Sequence, residues 1–357
     1  MRPRPGRDHQ GAVYHFVLLL FAASLVHAQS TDPCRAGAEA ANQRDFASAE
    51  LLVKQCIASQ PEQIQPYLIL AAIYQLQKDS EALYKIALDA IEKFPQEKRF
   101  YLTAATHDGR ARRYGSAIKV LDEALRRWPE DPQVRTLLAS SYFGRGTELL
   151  DAGHNEPAAE DLRRAIQLAP SDVEAHLNLG RALHNLLRHA EALGAFNRTL
   201  ELNSAAPLVR FHRGFTQYML GDFDRAIEDL DVEIAANPTY APAYLVRGLA
   251  RSSNGEWEKA LTDLETATAR MAGNAQAHHA KGRALVQLGR FDQAEASLRK
   301  AMELEPSDPA PVNTLVTILF RLDRAEEARR LARKAADLAL KRRSADPGQI
   351  RFEGAKK

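Results

Sequence analysis

Residues 173–204 read VEAHLNLGRALHNLLRHAEALGAFNRTLELNS. Leu179-Gly180, Ala192 and Phe196 within this stretch have counterparts up and down the chain. Gly180, Gly214, Gly248 and Gly282 recur every 34 residues, as do Ala158, Ala192, Ala226, Ala260, Ala294 and Ala328. Pro61, Pro95 and Pro129 keep the same step, and Pro238 and Pro306 lie two steps apart. Between these landmarks apolar residues fall at helical spacing, as in Ala226, Ile227, Leu230 and Ile234. Turn signals separate the helical segments: Leu220-Gly221-Asp222-Phe223, Asn254-Gly255-Glu256-Trp257 and Leu288-Gly289-Arg290-Phe291. The unit is therefore two helices joined by a tight turn, followed by a loop usually closed by proline.

The period gives nine units, beginning near residues 30, 64, 98, 139, 173, 207, 241, 275 and 309. The first keeps Gly37, Phe46, Ala49 and Pro61, whereas the second has Leu83 where alanine is expected. The ninth has Val316 and no closing proline, as a capping unit would. One spacing departs from the rest. Pro129 to Gly146 is seven residues longer than Pro238 to Gly248, about two helical turns. Such an insertion keeps the apolar stripe nearly in phase. It predicts an extended helix over about 133–151 that protrudes from one rim.

In these residues the chain resembles the tetratricopeptide-repeat family. That signature combines an aromatic residue and Leu-Gly in a first helix with Ala, an aromatic and then Pro around a second. Leu179-Gly180, Ala192 and Phe196 carry it, and so do Tyr244, Gly248, Trp257, Ala260 and Ala267. The resemblance covers residues 30–342. It implies an all-α, right-handed superhelical solenoid in which each helical pair buries its face only against its neighbours.

In such a solenoid the first helix of each unit lines the inner groove. The register then sets three stripes at i, i+4, i+7 spacing: Leu177, Arg181 and His184; Phe211, Phe215 and Tyr218; His279, Arg283 and Val286. Leu245, Leu249 and Ser252 fall between the last two. This surface is expected to hold a peptide or helix of a protein partner, with aromatics as anchors and arginine for an acidic group. The Lys/Asn set with which some family members clamp a terminal carboxylate is absent. Of the groove asparagines of the glycosyltransferase branch only Asn178 is present.

The amino terminus has a different character. Arg2, Arg4 and Arg7 precede an apolar run that includes residues 16–21, FVLLLF, and ends in Val26-His27-Ala28. A basic start, a short apolar stretch and small residues at its end predict a cleaved signal peptide over residues 1–28, hence a periplasmic or secreted protein. If the signal is cleaved, the mature chain has no stable membrane span; retained, it would act as an anchor. Removing residues 1–28 leaves 45 basic and 45 acidic residues, because Arg2, Arg4, Arg7 and Asp8 account for the net charge of +2. A neutral chain has no global field for nucleic acid, so its partner is sought in a local surface. The two cysteines, Cys34 and Cys56, fall early in one helix and late in its antiparallel neighbour, where a disulfide can close.

The remaining motifs carry no catalytic set. The eleven histidines lack zinc-helix spacing, His278 and His279 point to different helix faces, and His184 and His189 straddle a turn. Gly144-Arg145-Gly146 follows no strand, and Ser297-Leu298-Arg299-Lys300 has no partner motif. No cofactor or metal is implied. The last helix is basic (Arg324, Arg329, Arg330, Arg333, Lys334), and residues 343–357 have the composition of a disordered basic tail. The sequence thus points to a non-enzymatic, exported interaction scaffold. An accessory subunit recruiting a catalytic partner for envelope polysaccharide synthesis or secretion is the alternative, and an unrecognised hydrolase is a distant third.

Overall fold

A computed structural model describes residues 32–345, with side-chain surroundings through residue 336. The expected signal peptide and residues 346–357 of the expected tail lie outside the described residues. All regular structure among the described residues is α-helical. By its contacts the chain divides into two units between His107 and Asp108.

The first unit holds α1 (Pro33–Asn42), α2 (Phe46–Ser59), α3 (Ile64–Gln77), α4 (Ser80–Lys93) and most of α5 (Lys98–Arg110). Cys34 and Cys56 are joined by a disulfide, with Cα atoms 4.9 Å apart. It staples the start of α1 to the end of α2. Ala49, Val53, Leu70, Ile73 and Tyr74 form the core between the first two helical pairs.

The second unit continues with α6 (Tyr114–Arg127), α7 (Pro132–Asp151), α8 (Asn155–Leu168), α9 (Val173–Asn185) and α10 (His189–Leu202). Then come α11 (Val209–Met219), α12 (Phe223–Ala236), α13 (Ala241–Ser253) and α14 (Trp257–Arg270). It ends with α15 (Ala275–Gln287), α16 (Phe291–Leu304), α17 (Pro309–Arg321) and α18 (Ala325–Ala345). From α6 to α18 each helix packs on the next, and successive odd-numbered helices from α7 to α17 also touch. That is solenoid packing.

Local chemistry explains where the helices begin. Asp131, Asp172 and Asp308 accept hydrogen bonds from the first free N–H groups of α7, α9 and α17. Pro132 and Pro309 occupy first-turn positions, where their missing N–H removes no helical hydrogen bond. Between the two helices of every pair the chain needs one left-handed residue. It is Arg44, Lys78, Arg112, Gly153, Leu187, Gly221, Gly255, Gly289 and Asp323 in turn. These nine positions mark nine units independently of the glycine and alanine pattern.

The helices of a pair approach through a fixed relationship. A Cβ placed on Gly146, Gly248 or Gly282 would lie 2.9, 2.8 or 2.7 Å from the leucine sixteen residues on: Leu162, Leu264 or Leu298. Only glycine lets the second helix come so close. The alanines of the second helices, Ala158, Ala192, Ala226, Ala260, Ala294 and Ala328, are 0% exposed. Burying small residues at both faces lets the two helices pack closely.

The extra turns of α7 differ from the expectation of a protruding spur. The helix has 20 residues against 13 in α9, and it gains them at its amino-terminal end. Val134 and Leu138, within those turns, are 0% and 1% exposed. The apolar stripe continues through the insertion, so the turns carry core and do not project into solvent. At the other end, α18 runs to Ala345, past the residue at which the tail was expected to begin.

Candidate functional site

The residues of the expected stripes sit on odd-numbered helices of the second unit and differ in burial. Phe211 is 8% exposed and stands edge-on to Tyr240, with ring centroids 5.0 Å apart. With Leu230, Ala243 and Val246 it builds core. Phe211 therefore acts as packing, held by the loop that enters α13. Leu177 likewise packs, half-buried, against the core around Phe196.

Phe215 and Tyr218 remain partly open. Phe215 lies 4.8 Å from the His184 ring, and Tyr218 lies 5.8 Å from Phe223. Arg181 donates to Asn178 Oδ1 at 2.9 Å, and Asn178 donates to Thr147 at 3.2 Å, a polar thread joining α9 to α7.

Each of the histidines His184 and His279 is oriented by a threonine of the following odd helix. Thr216 donates its hydroxyl to the His212 carbonyl at 2.8 Å, so it accepts from His184 Nδ1, also at 2.8 Å. Thr314 donates to the Ala310 carbonyl and so accepts from His279 Nε2 at 3.2 Å. Burial lowers the pKa of both, reinforced at His184 by His189 and at His279 by Arg283. His212, stacked 5.9 Å from Phe196, is driven down to about 4 by burial and then by Arg181 and His184.

Tyr218 and Arg283, two units apart in sequence, come together around one hollow. Leu249, Ser252 and Trp257 complete its main lining, and its volume is about 50 Å³. Arg283 is exposed. Among the described residues it makes no ion pair or hydrogen bond. Trp257, at the start of α14, escaped the sequence argument because it reads as a turn marker. α14 begins at Trp257, four residues after Ser253 closes α13, and Trp257 lines the hollow with Ser252 and Ser253.

A second feature was missed altogether. Arg213 and Arg247 each directly precede a helix glycine, and each clasps an aspartate sixteen residues on. Arg213 meets Asp229 at 2.7 and 2.6 Å and also Asn197 at 2.8 Å. Arg247 meets Asp263 at 3.0 and 2.6 Å and Asp231 at 2.5 Å. Arg251 adds a further bond to Asp263 at 2.9 Å. Arg145 and Asp161 repeat the pair at 2.6 and 2.8 Å. A polar hollow of about 310 Å³ around Arg213, Gln217, Arg225 and Asp229 belongs to this ladder. Its charges are largely satisfied within the chain, so it reads as structural. The spacing of sixteen between Arg-Gly and Asp was the signal.

Among the described residues no three His, Cys, Asp or Glu side chains gather as metal ligands. None of the described helices is long and apolar enough to cross a membrane.

Family profiles described as tetratricopeptide repeat match residues 102–147, 143–207 and 188–241, and again 251–310 and 285–344. Among curated proteins, the chain is 23% identical over 154 residues to the mouse (Mus musculus) protein O-mannosyl-transferase TMTC1, covering 43% of this chain and 16% of that protein. It is 26% identical over 197 residues to anaphase-promoting complex subunit 3 of Schizosaccharomyces pombe, covering 55% and 29%. The chain thus spans less than a third of either relative's length. Among solved structures, MamA from Desulfovibrio magneticus RS-1 aligns with a TM-score of 0.44 at 25% identity, over 48% of this chain and 96% of that one. YrrB, described as a TPR protein with an unusual peptide-binding site, aligns with a TM-score of 0.45 at 19% identity, over 54% and 96%.

Proposed function

Because this chain belongs to the tetratricopeptide-repeat family, we propose that it is an exported scaffold holding a peptide or helix of a protein partner along α9, α11, α13 and α15. A repeat array of this kind is typically non-catalytic, and its stacked helices supply a long continuous surface. The observation that carries the reading is the hollow where Tyr218, Leu249 and Arg283 converge from three successive odd helices. It joins apolar and aromatic surface to an unpaired arginine, the composition of interface anchors. Export is supported by the sequence of residues 1–28, and the Cys34–Cys56 disulfide suits an oxidising compartment.

The test is affinity capture from the producing cells with the full-length protein and a Leu249→Glu variant, after helicity and melting have been matched. The reading expects a partner that the wild type retains and the variant loses. A partner held equally by both would place binding elsewhere. Cell fractionation with amino-terminal sequencing tests export, with Gln29 expected as the first residue of the mature chain.

A further inference from the structure

The twelve groove positions on α9, α11, α13 and α15 include Arg181 and Arg283 and no aspartate or glutamate. Elsewhere acids and bases balance, so this one-sided strip is a local feature. Nearby arginines are already spoken for: Arg247 and Arg251 bind Asp263 and Asp231 of the chain itself. Arg283 has no such partner among the described residues, and it lines the hollow.

We infer that the hollow between Tyr218, Trp257 and Arg283 takes the side-chain carboxylate of an Asp or Glu within an extended partner segment, with an apolar neighbour of that acid against Leu249. This deepens the groove reading above and depends on it. Arginine offers a carboxylate two parallel donors, and Tyr218 and Ser253, which also line the hollow, each carry a hydroxyl. Trp257 and Leu249 border the same hollow with apolar surface. A volume of about 50 Å³ admits three or four water-sized groups, which suits a carboxylate.

The acid belongs within the segment, since the surface continues past the hollow in both directions. On one side lie Phe215 and Arg181, and on the other Thr317 and Phe320 of α17, both exposed. A site for a chain terminus would instead be closed beyond Arg283, where Thr317 and Phe320 are exposed.

The experiment selects from a random twelve-residue peptide library displayed on phage with the carboxyl end fused to the coat protein, using the full-length protein as target. Selected sequences are then synthesised with free and amidated carboxyl termini, and with the acid changed to its amide. The inference expects enriched Asp or Glu beside an apolar residue. It expects about tenfold weaker binding for the amide peptide, a difference that vanishes with Arg283→Gln, and no effect of carboxyl-terminal amidation. Enriched peptides lacking an acid, or an acid whose loss matters equally in Arg283→Gln, would overturn it while leaving the groove reading intact. Binding that disappears on terminal amidation would overturn it in favour of a terminal carboxylate. If no peptide is enriched, both readings fall.

Discussion

Gly180 of α9 lies directly under the ring of Phe196 of α10, so closely that a Cβ at Gly180 would occupy the ring's own edge. In the other glycine-bearing units of this unit of the chain a leucine takes the place of Phe196, as at Gly214 and Leu230, where the added Cβ would stand 3.1 Å away. Gly180→Ala should therefore destabilise by about 1–3 kcal/mol, as overpacking of a close-packed core does. Gly180→Ala combined with Phe196→Leu should recover a large part of that loss. Denaturant unfolding of the four proteins checks both, and additive effects would contradict the contact.

Leu187 occupies the left-handed turn position that glycine fills at 153, 221, 255 and 289, with φ of 62° and 73% of its surface exposed. Its side chain gains little from burial and its backbone bears the strain of that region. Leu187→Gly should stabilise by up to about 1 kcal/mol, read as a rise in melting temperature. Destabilisation would show that the Leu187 side chain makes a contact worth more than the strain.

The sequence and the structure agree where small residues enforce geometry. The 34-residue period was legible because glycine and alanine at a helix crossing have few substitutes. The left-handed position was half legible: Gly221 announces it, whereas Leu187 and Arg112 give no sign. The groove was harder to read. An aromatic residue one turn along an inner helix can line a surface or fill the space between units, and local pattern does not distinguish them. Tyr240 decides it for Phe211 by standing edge-on to the ring, whereas Phe215, a turn later, packs beside His184 and stays partly exposed. The arginine ladder was visible in principle, since Arg213 and Asp229 keep the same sixteen-residue step as Gly214 and Leu230.

Acid should weaken the fold through its buried histidines. His212 has a folded pKa of about 4, below the 6.5 of an unfolded histidine. The unfolded chain binds the proton first, so this contribution is complete above pH 6.5 and is lost as pH falls toward 4. His184 and His279 are shifted in the same direction. The melting temperature should fall across that window. A His212→Gln variant should show a flatter fall over the same range. An unchanged slope would contradict neutral burial of His212.

Reduction should loosen the first helical pair. The Cys34–Cys56 bond spans 22 residues, and closing a loop of that length stabilises by about 3 kcal/mol in the chain-entropy model. In a solenoid the loss should stay local to the neighbouring pairs. Hydrogen exchange in dithiothreitol should rise in α1 and α2 and stay unchanged in α13 to α16. Faster exchange throughout would mean that the array unfolds as one cooperative body.

The most direct test of the groove places a photocrosslinking benzoylphenylalanine at Leu249, and at Val232 of α12 as a control, in the full-length protein within its producing cells. Leu249 lines the hollow, whereas Val232 is 47% exposed on an even-numbered helix. Discrete protein adducts at position 249 and none at 232 are the predicted result. Adducts at 232 with none at 249 would contradict the claim that the partner is held in the groove.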